Sequence, residues 1–437
     1  MVKYFVPVLV GLFFIHQSIM AQTYDLNQFL DSALQNNYLI QSTEKNKIIK
    51  QSEIEILQTN YLPKVSASAS FSYWKFLLPN KQKLLDDALT DMYTDITFYQ
   101  TLYDFGQNKA KKSIVDDEIK LNNEIIRQIR QTVIWGVTDA YFEVLSATSE
   151  IDVHESSLFQ LQEHLRFAEH LYQIGKTSLV DILKIKVQIS VEENKLEQSR
   201  NKLIERRITL FQLSNIEKEN GLSVENNSEK LFQQYENSPL ETFGLISNLN
   251  NHPSLKPFDI KSAIEGKQQQ LIKLQNRPEL FSYGIGSWEH GYVPFGANFN
   301  YNIGVGIRYT FPYWGNSGYR HKIKQSRLYA EQYDDQKQQL LLEVKKEIEL
   351  CLNTLDEIQK NIKSNKEIID LAKETISSAS VKYRAGQGNI IDILDAQQIL
   401  TEAAITRENA KIAFLQSLAR LHYLRGNDHF PFNEKMN

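Results

Sequence analysis

The chain has 437 residues, with 49 Lys and Arg against 53 Asp and Glu, and its formal net charge of −4 excludes the basic footprint of a nucleic-acid binder. Its one cysteine, Cys351, excludes an internal disulfide, a metal site built on paired thiolates, and a lipid-anchor cysteine behind the leader. Length alone suggests about two or three ordinary domains, an expectation that an internal duplication, described below, overrides.

Residues 1–22 read as a secretory signal peptide: an early cation at Lys3, an apolar run over 5–15, and a cleavage site near Ala21. The run is shorter than the roughly 20 residues of a membrane span. The mature chain is therefore exported, and no later segment has an apolar run long enough to cross a membrane as a helix.

Residues 25–59 carry a helical pattern with Leu26, Phe29, Leu30 and Ala33 on one stripe, and Pro63 closes it. A strict period of two follows: Val65, Ala67, Ala69, Phe71 and Tyr73 alternate with serines, which is a strand with one apolar and one polar face. A second strand is expected over about 95–105, with weaker alternation. The plan then repeats. Pro278 closes a helix, Phe281, Tyr283 and Ile285 alternate with Ser and Gly, and the strongest strand follows, with Phe299, Tyr301, Ile303, Val305, Ile307, Tyr309 and Phe311 on one face and Asn, Gly, Arg and Thr on the other. The Gly-x-Gly pairs at 284/286 and 304/306 lack a third glycine and lie in strands, so they read as small barrel-facing residues, not phosphate loops.

A soluble sheet with one covered face produces the same alternation. Here no amphipathic helix follows to cover seven apolar positions in a row, and strands of about ten residues with aromatic ends fit a membrane barrel. Two strands per half cannot close a barrel whose smallest known form has about eight. Several copies must pool their strands.

After each strand pair a long helical pattern carries an a/d seam: Val137, Val144, Ile151, Leu158, Leu165 and Tyr172 on one row, Val133, Ala140, Ala147, His154, Leu161 and Ala168 on the next. Adding 211 reproduces the seam from Val344 to Tyr383, with Cys351 as a packed small residue opposite Ala140 and Asn365 opposite His154. This shared polar layer reads as a partly solvated seam position, with a pore-facing or registry role as the other possibility. At about 1.5 Å per residue the ascending helix reaches roughly 100 Å. Each hairpin turns at a tip. The first tip has Tyr172, Gly175, Ser178 and Asp181, the second Tyr383, Gly386, Asn389 and Asp392; 383 minus 172 is 211, as is 394 minus 183 for the Leu that follows. Gly supplies the left-handed end, Ser178 and Asn389 restart the helices, and Asp three residues later makes a capping-box arrangement. The offset marks an internal duplication. The boundaries are 1–22 signal peptide, 23–213 first repeat (strands about 64–74 and 95–105, tip about 172–179), 214–251 connecting segment, 252–426 second repeat (strands about 279–288 and 298–311, tip about 383–390), and 427–437 tail. The fold class is mainly α with membrane β.

Signal peptide, strand pair, the Tyr103-Asp-Phe-Gly-Gln107 turn into a long helix, Tyr-x-x-Gly tip, Asp-Ile-Leu restart and a full second copy resemble the TolC family of outer-membrane efflux channels. The resemblance covers nearly all the mature chain. It implies a homotrimer in the outer membrane whose twelve strands form one β-barrel, continuous with a helical barrel across the periplasm, with 214–251 and the tail as an equatorial belt. It also implies a passive exit duct of a tripartite efflux or type I secretion system, opened when a periplasmic adaptor (membrane fusion) protein and an inner-membrane pump of RND or ABC type engage the tips. At the matching positions, Asp392 and Asp395 would form pore-constricting rings, and Asp181 would bond Tyr383 as a latch, with Tyr172 its repeat counterpart. Gly388 replaces a latch-forming Arg of the family, so fewer bonds would hold the closed state. Three copies of each carboxylate would favour cations. Asp395 has Lys184 as its counterpart and lies past the cap, whereas Asp181 and Asp392 also serve capping.

No catalytic, cofactor or metal site is expected. His164 and His170 are six apart, not four, and after signal removal only Met92 and Met436 remain, outside the tunnel helices. An exported coiled-coil structural or adhesion protein is the alternative reading.

Overall fold

In the computed structural model the described residues are 23–74, 89–217, 223–236, 249–290, 297–311, 318–427 and 432. The expected signal peptide, most of the tail and the middle of the connecting segment lie outside them.

The two repeats have the same plan. In the first, α1 (Leu26–Asn36) and α2 (Tyr38–Gln58) lead to β2 (Lys64–Trp74), β3 (Leu89–Tyr103), the long α3 (Gln107–Gln173) and the returning α4 (Leu179–Ser214). In the second, α6 (Lys256–Leu274) leads to β5 (Glu279–His290), β6 (Ala297–Arg308), α7 (Tyr319–Arg384) and α8 (Ile390–Leu424). A two-residue strand at each of Thr23–Tyr24 (β1) and Ser223–Val224 (β4), and the short helix α5 (Ser228–Tyr235), complete the described elements. The single helix expected over 25–59 is broken at Asn37, which has extended backbone and whose side chain accepts from the amides of Leu39 and Ile40, so it ends one helix and caps the next. A capping box at Asp25 and Gln28 starts α1.

The strands form one antiparallel sheet in the order β2-β3-β5-β6. Register assigns its faces. Val65, Ala67 and Phe71 share a face with Phe98, Ile96 and Met92, and with Gly284, Gly286, Ile303 and Tyr301 on the other two strands. That face is apolar and open, with Ile303 80% and Tyr301 76% exposed. The opposite face holds the serines of β2, Asp95, Thr97, Tyr99, Asn302, Gly304, Gly306 and Arg308. On β5 the faces are the reverse of the simple alternation. Phe281 and Tyr283 lie opposite Gly306 and Gly304 on the polar face, and Gly284 and Gly286 lie on the apolar one. The glycines explain it: a Cβ on Gly304 would come 2.7 Å from the Tyr283 hydroxyl, and one on Gly306 2.7 Å from the Phe281 ring. Of the four glycines read as barrel-facing, Gly304 and Gly306 therefore lie on the polar face, and Gly284 and Gly286 on the apolar one.

Helices pack side by side in two tiers. Nearer the sheet the order is α2-α3-α6-α7, and toward the tips α4-α3-α8-α7. The largest core lies between, where Phe29, Tyr141, Phe211, Phe142 and Phe414 meet and where α5 docks through Phe232 on Phe414. β1 and β4 pair in parallel here, and Phe432 packs on Phe142 and Tyr235. Lys411, nearly buried, ties α8 to Glu229 of α5 at 2.7 Å. Cys351 is buried with its thiol toward the Ser417 carbonyl, and burial pushes it up to about 11.

The polar seam layer differs from its reading. His154 is buried, not part-solvated, and its Nδ1 lies 2.8 Å from the buried Glu192 carboxylate of α4. Asn365, its counterpart, bonds the Asn361 carbonyl of its own helix. Position 403, the counterpart of Glu192, is Ala, so the layer pins only the first hairpin. Removing the imidazole strands a buried carboxylate, a loss of about 3–5 kcal/mol for a broken buried pair. His154→Ala should therefore clearly lower the thermal midpoint of helical circular dichroism in detergent, and the double change His154→Leu with Glu192→Leu should recover most of the loss.

Candidate functional site at the hairpin tips

Both long helices end in the same Schellman geometry. At the first tip Gly175 has φ of 74°, its amide donates to the Tyr172 carbonyl at 2.9 Å, and that of Lys176 to Leu171 at 2.9 Å. At the second, Gly386 also has φ of 74°, with Gly386 to Tyr383 and Gln387 to Lys382 both at 3.0 Å. A left-handed backbone there makes glycine the residue of choice. The returning helices restart on Ser178, whose hydroxyl accepts from the Asp181 amide, and on Asn389, whose side chain accepts from the Ile391 amide. The return bond of a capping box is not among the cap contacts of either helix, so the Asp residues do not serve that role.

Asp181 instead accepts from the Thr177 hydroxyl at 2.6 Å, and the same hydroxyl lies 2.9 Å from the Tyr383 hydroxyl. Thr177 thus links the first tip to the end of α7 in the second hairpin. Asp181 and Tyr383 are brought together through it, with no direct bond between them among the described contacts. Thr177 was missed by reading the sequence, although the repeat comparison contains a signal: its counterpart is Gly388. No side chain fits at Gly388, where a Cβ would come 2.8 Å from the Tyr383 backbone nitrogen. Tyr383 is 6% exposed, and burial raises its phenol pKa. Tyr172 is 45% exposed and joins neither group.

A small core sits behind this link. Ala168, Leu171, Ile182 and Ile185 of the first hairpin pack with Tyr383, Ile390 and Ile393 of the second. Beside it a cavity of about 220 Å³ is lined by His164, Phe167, Tyr383 and Arg384 among others. The Arg384 guanidinium lies 5.2 Å over the Phe167 ring, a cation–π contact, and that ring meets Tyr383 edge-on at 6.5 Å. Burial, and then the Arg384 charge, lower the His164 pKa. Asp392 and Asp395 lie in the first two turns of α8, exposed, on the side open to solvent. One chain brings neither to the Thr177 link. Among the described residues no group of His, Cys, Asp and Glu is arranged to hold a metal ion.

Comparison with known proteins agrees with this architecture. The family model described as "Outer membrane efflux protein" matches residues 29–215 and 282–427. The chain is 19% identical to outer membrane protein TolC of Salmonella enteritidis, covering 97% of this chain and 86% of that protein. It is 20% identical to the pyoverdine export outer membrane protein OpmQ of Pseudomonas aeruginosa, over 92% and 85%. Among solved structures, the CmeC outer membrane channel of Campylobacter jejuni superposes with a TM-score of 0.70 at 17% identity, over 94% of this chain and 87% of that one. VceC of Vibrio cholerae gives 0.71 at 15%, over 92% and 97%.

Two outcomes are expected at the tips. Thr177→Val removes two hydrogen bonds worth about 0.5–1.5 kcal/mol each, shifting the packed-to-separated ratio by roughly 5- to 150-fold; spin labels on Gln173 and Gln387 would report longer distances. For His164, the lowered pKa means that the packed tips hold it neutral. Packing is thus fully stable above the ordinary value of 6.5 and weakens as pH falls below it toward the lowered value. The same labels should separate with acid in that window, and His164→Leu should abolish the response.

Proposed function

Because the chain belongs to the outer membrane efflux protein family, we propose that it works as a trimeric exit duct of the outer membrane whose inner end is closed by the hairpin tips. The observation that carries this reading is the sheet: four antiparallel strands with one exposed apolar face, one polar face and both edges free. No described helix is long and apolar enough to cross a membrane, so the sheet is the part suited to lipid. Four strands per chain, in three chains, make a barrel of twelve, within the known range of even-numbered barrels.

The helices support the same assembly. In the lower tier α4 and α7 are the outer members, and each has exposed apolar residues on the way to its tip: Leu183, Val187 and Val191 on one, Leu371 and Val381 on the other. Joined edge to edge around a threefold axis, they would close a tunnel. Asp392 and Asp395, one turn apart and exposed, then face the narrow end as two rings of three carboxylates, lowering the potential there and favouring cations.

Opening in this reading needs work from outside. A periplasmic adaptor and an inner-membrane pump, of RND or ABC type, would bind the closed tips less well than the open ones and shift the balance by that difference. In this reading the chain supplies the route and leaves cargo selection largely to the pump.

Single-channel recording in planar bilayers tests the duct and its gate together. Wild-type protein should give small cation-selective steps, and the double change Asp392→Ala with Asp395→Ala should give larger steps that lose much of the selectivity. Steps identical in both proteins would remove the gate from these carboxylates; a soluble rod without conductance would sink the duct.

A further inference from the structure

At the helix-proximal end of the sheet, the polar face carries an aromatic and cationic cluster that closing a barrel does not require. Tyr99 of β3 and Phe281 of β5 stack at 5.4 Å with 27° between their planes. The Arg308 guanidinium lies 5.0 Å over Phe281 and 5.5 Å over Tyr99, and donates to the Tyr99 hydroxyl at 2.8 Å. Glu279 accepts from Tyr99 at 3.1 Å and Thr101 at 2.8 Å, which orients Tyr99, but it stands 3.9 Å from Arg308. Arg308 keeps 56% of its side chain exposed. Lys64, in register with Tyr99 on the neighbouring strand, is also exposed. Lys64 lies one strand from Tyr99 and three from Arg308, so it adds positive charge to the same face, with no contact to the ring stack among those described.

The backbone is adapted to these rings. Gly304 and Gly306 stand opposite Tyr283 and Phe281, and a Cβ would come 2.7 Å from the Tyr283 hydroxyl at the first and 2.7 Å from the Phe281 ring at the second. The rings therefore lie down against the wall. Without the glycines they would stand into the lumen and obstruct it. Flat rings beneath a half-exposed planar guanidinium form a surface on which a planar aromatic anion can stack while its charge meets Arg308.

We propose that this cluster is a cargo-contact site for planar aromatic anions, a cuff at the base of the barrel repeated once per subunit. It deepens the duct reading and rests on it. The cuff is cationic and aromatic where the tip carboxylates are anionic, so an aromatic anion that has passed the tips is held where the helical tunnel enters the barrel, in a weak multi-site passage of the kind conduction requires.

The test is current block in planar bilayers, with probe added on the side of the strand loops. Three probes separate shape from charge: 1-naphthalenesulfonate, cyclohexanesulfonate and 1-naphthylmethylammonium. The expected half-blocking concentration of the first is about tenfold below those of the other two, the scale of one stacking or cation–π contact. Arg308→Gln and Phe281→Leu should each raise it roughly three- to tenfold. Lys64→Gln, at an exposed position outside the ring stack, should narrow the difference between the two naphthalene probes. Equal block by all three probes, or block by naphthalenesulfonate unmoved in all three variants, would overturn the cuff while leaving a working channel. Absence of conductance in the wild type would overturn the duct, and the cuff with it.

Discussion

A sheet edge cannot end in hydrocarbon. β2 and β6 each pair on one side only, and every unpaired backbone N–H or C=O in a bilayer core costs several kcal/mol. A strand of 12 residues leaves several such groups along its free edge, a penalty that exceeds the whole stability of an ordinary domain. The apolar row of Phe299, Tyr301, Ile303, Val305 and Ile307 adds a second demand, because it stands exposed among the described residues. Both demands are met at once when the sheet joins copies of itself in lipid. The two-tier wall of helices has exposed apolar residues on its outer members, and in the proposed duct the same assembly would cover them.

Duplication provides the wall, and departures from it provide the specific contacts. Where the repeats agree, the residues are scaffold: Gly175 and Gly386 with the same φ, Ile182 and Ile393 both buried, Val144 and Leu355 both in the seam core. Where they disagree, a contact exists on one side only. Glu192 pairs His154 and has Ala403 as counterpart; Thr177 reaches Tyr383 and has Gly388 as counterpart. A link inside the chain is thus present at the first tip. The equivalent link from the second tip to an exposed Tyr172 lacks its hydroxyl. By the same pseudo-symmetry, in the proposed ring the place of that missing bond falls between subunits.

Much of the architecture is readable from the sequence, since it rests on local periodicities. Alternation at Val65–Tyr73, seven-residue recurrence in α3 and α7, and a constant 211 offset are all signals in single segments. Register between strands is not. The faces of β5 depend on which residues lie opposite, and Phe281 and Tyr283 point to the polar side because Gly306 and Gly304 leave room across the ladder. The break at Asn37 rested on an ordinary polar residue in a polar stretch. At the tips the residue types and turns were legible, but the Thr177 bridge was not, because it joins residues 206 apart. His154 was misjudged for the same reason: its partner Glu192 lies on the other arm of the hairpin, and a charged residue on a charged helix gives no sign that it is buried.

Stability is unevenly distributed along the wall, and this determines what can move. The waist core joins α1, α3, α4, α5, α7, α8 and Phe432, whereas the tip core consists of seven buried residues from four helix ends. Between them lies a seam one or two residues wide. Separating the hairpins at the tips therefore disrupts only the tip core, the Thr177 link and the ring contacts around Phe167, and leaves the waist intact. Local opening of this kind has a free energy well below that of global unfolding. Binding that favours separated tips can thus work against a small local barrier while the waist acts as the fixed end of the lever. The buried His154 and Glu192 pair, placed between waist and tip in the first hairpin only, stiffens one arm.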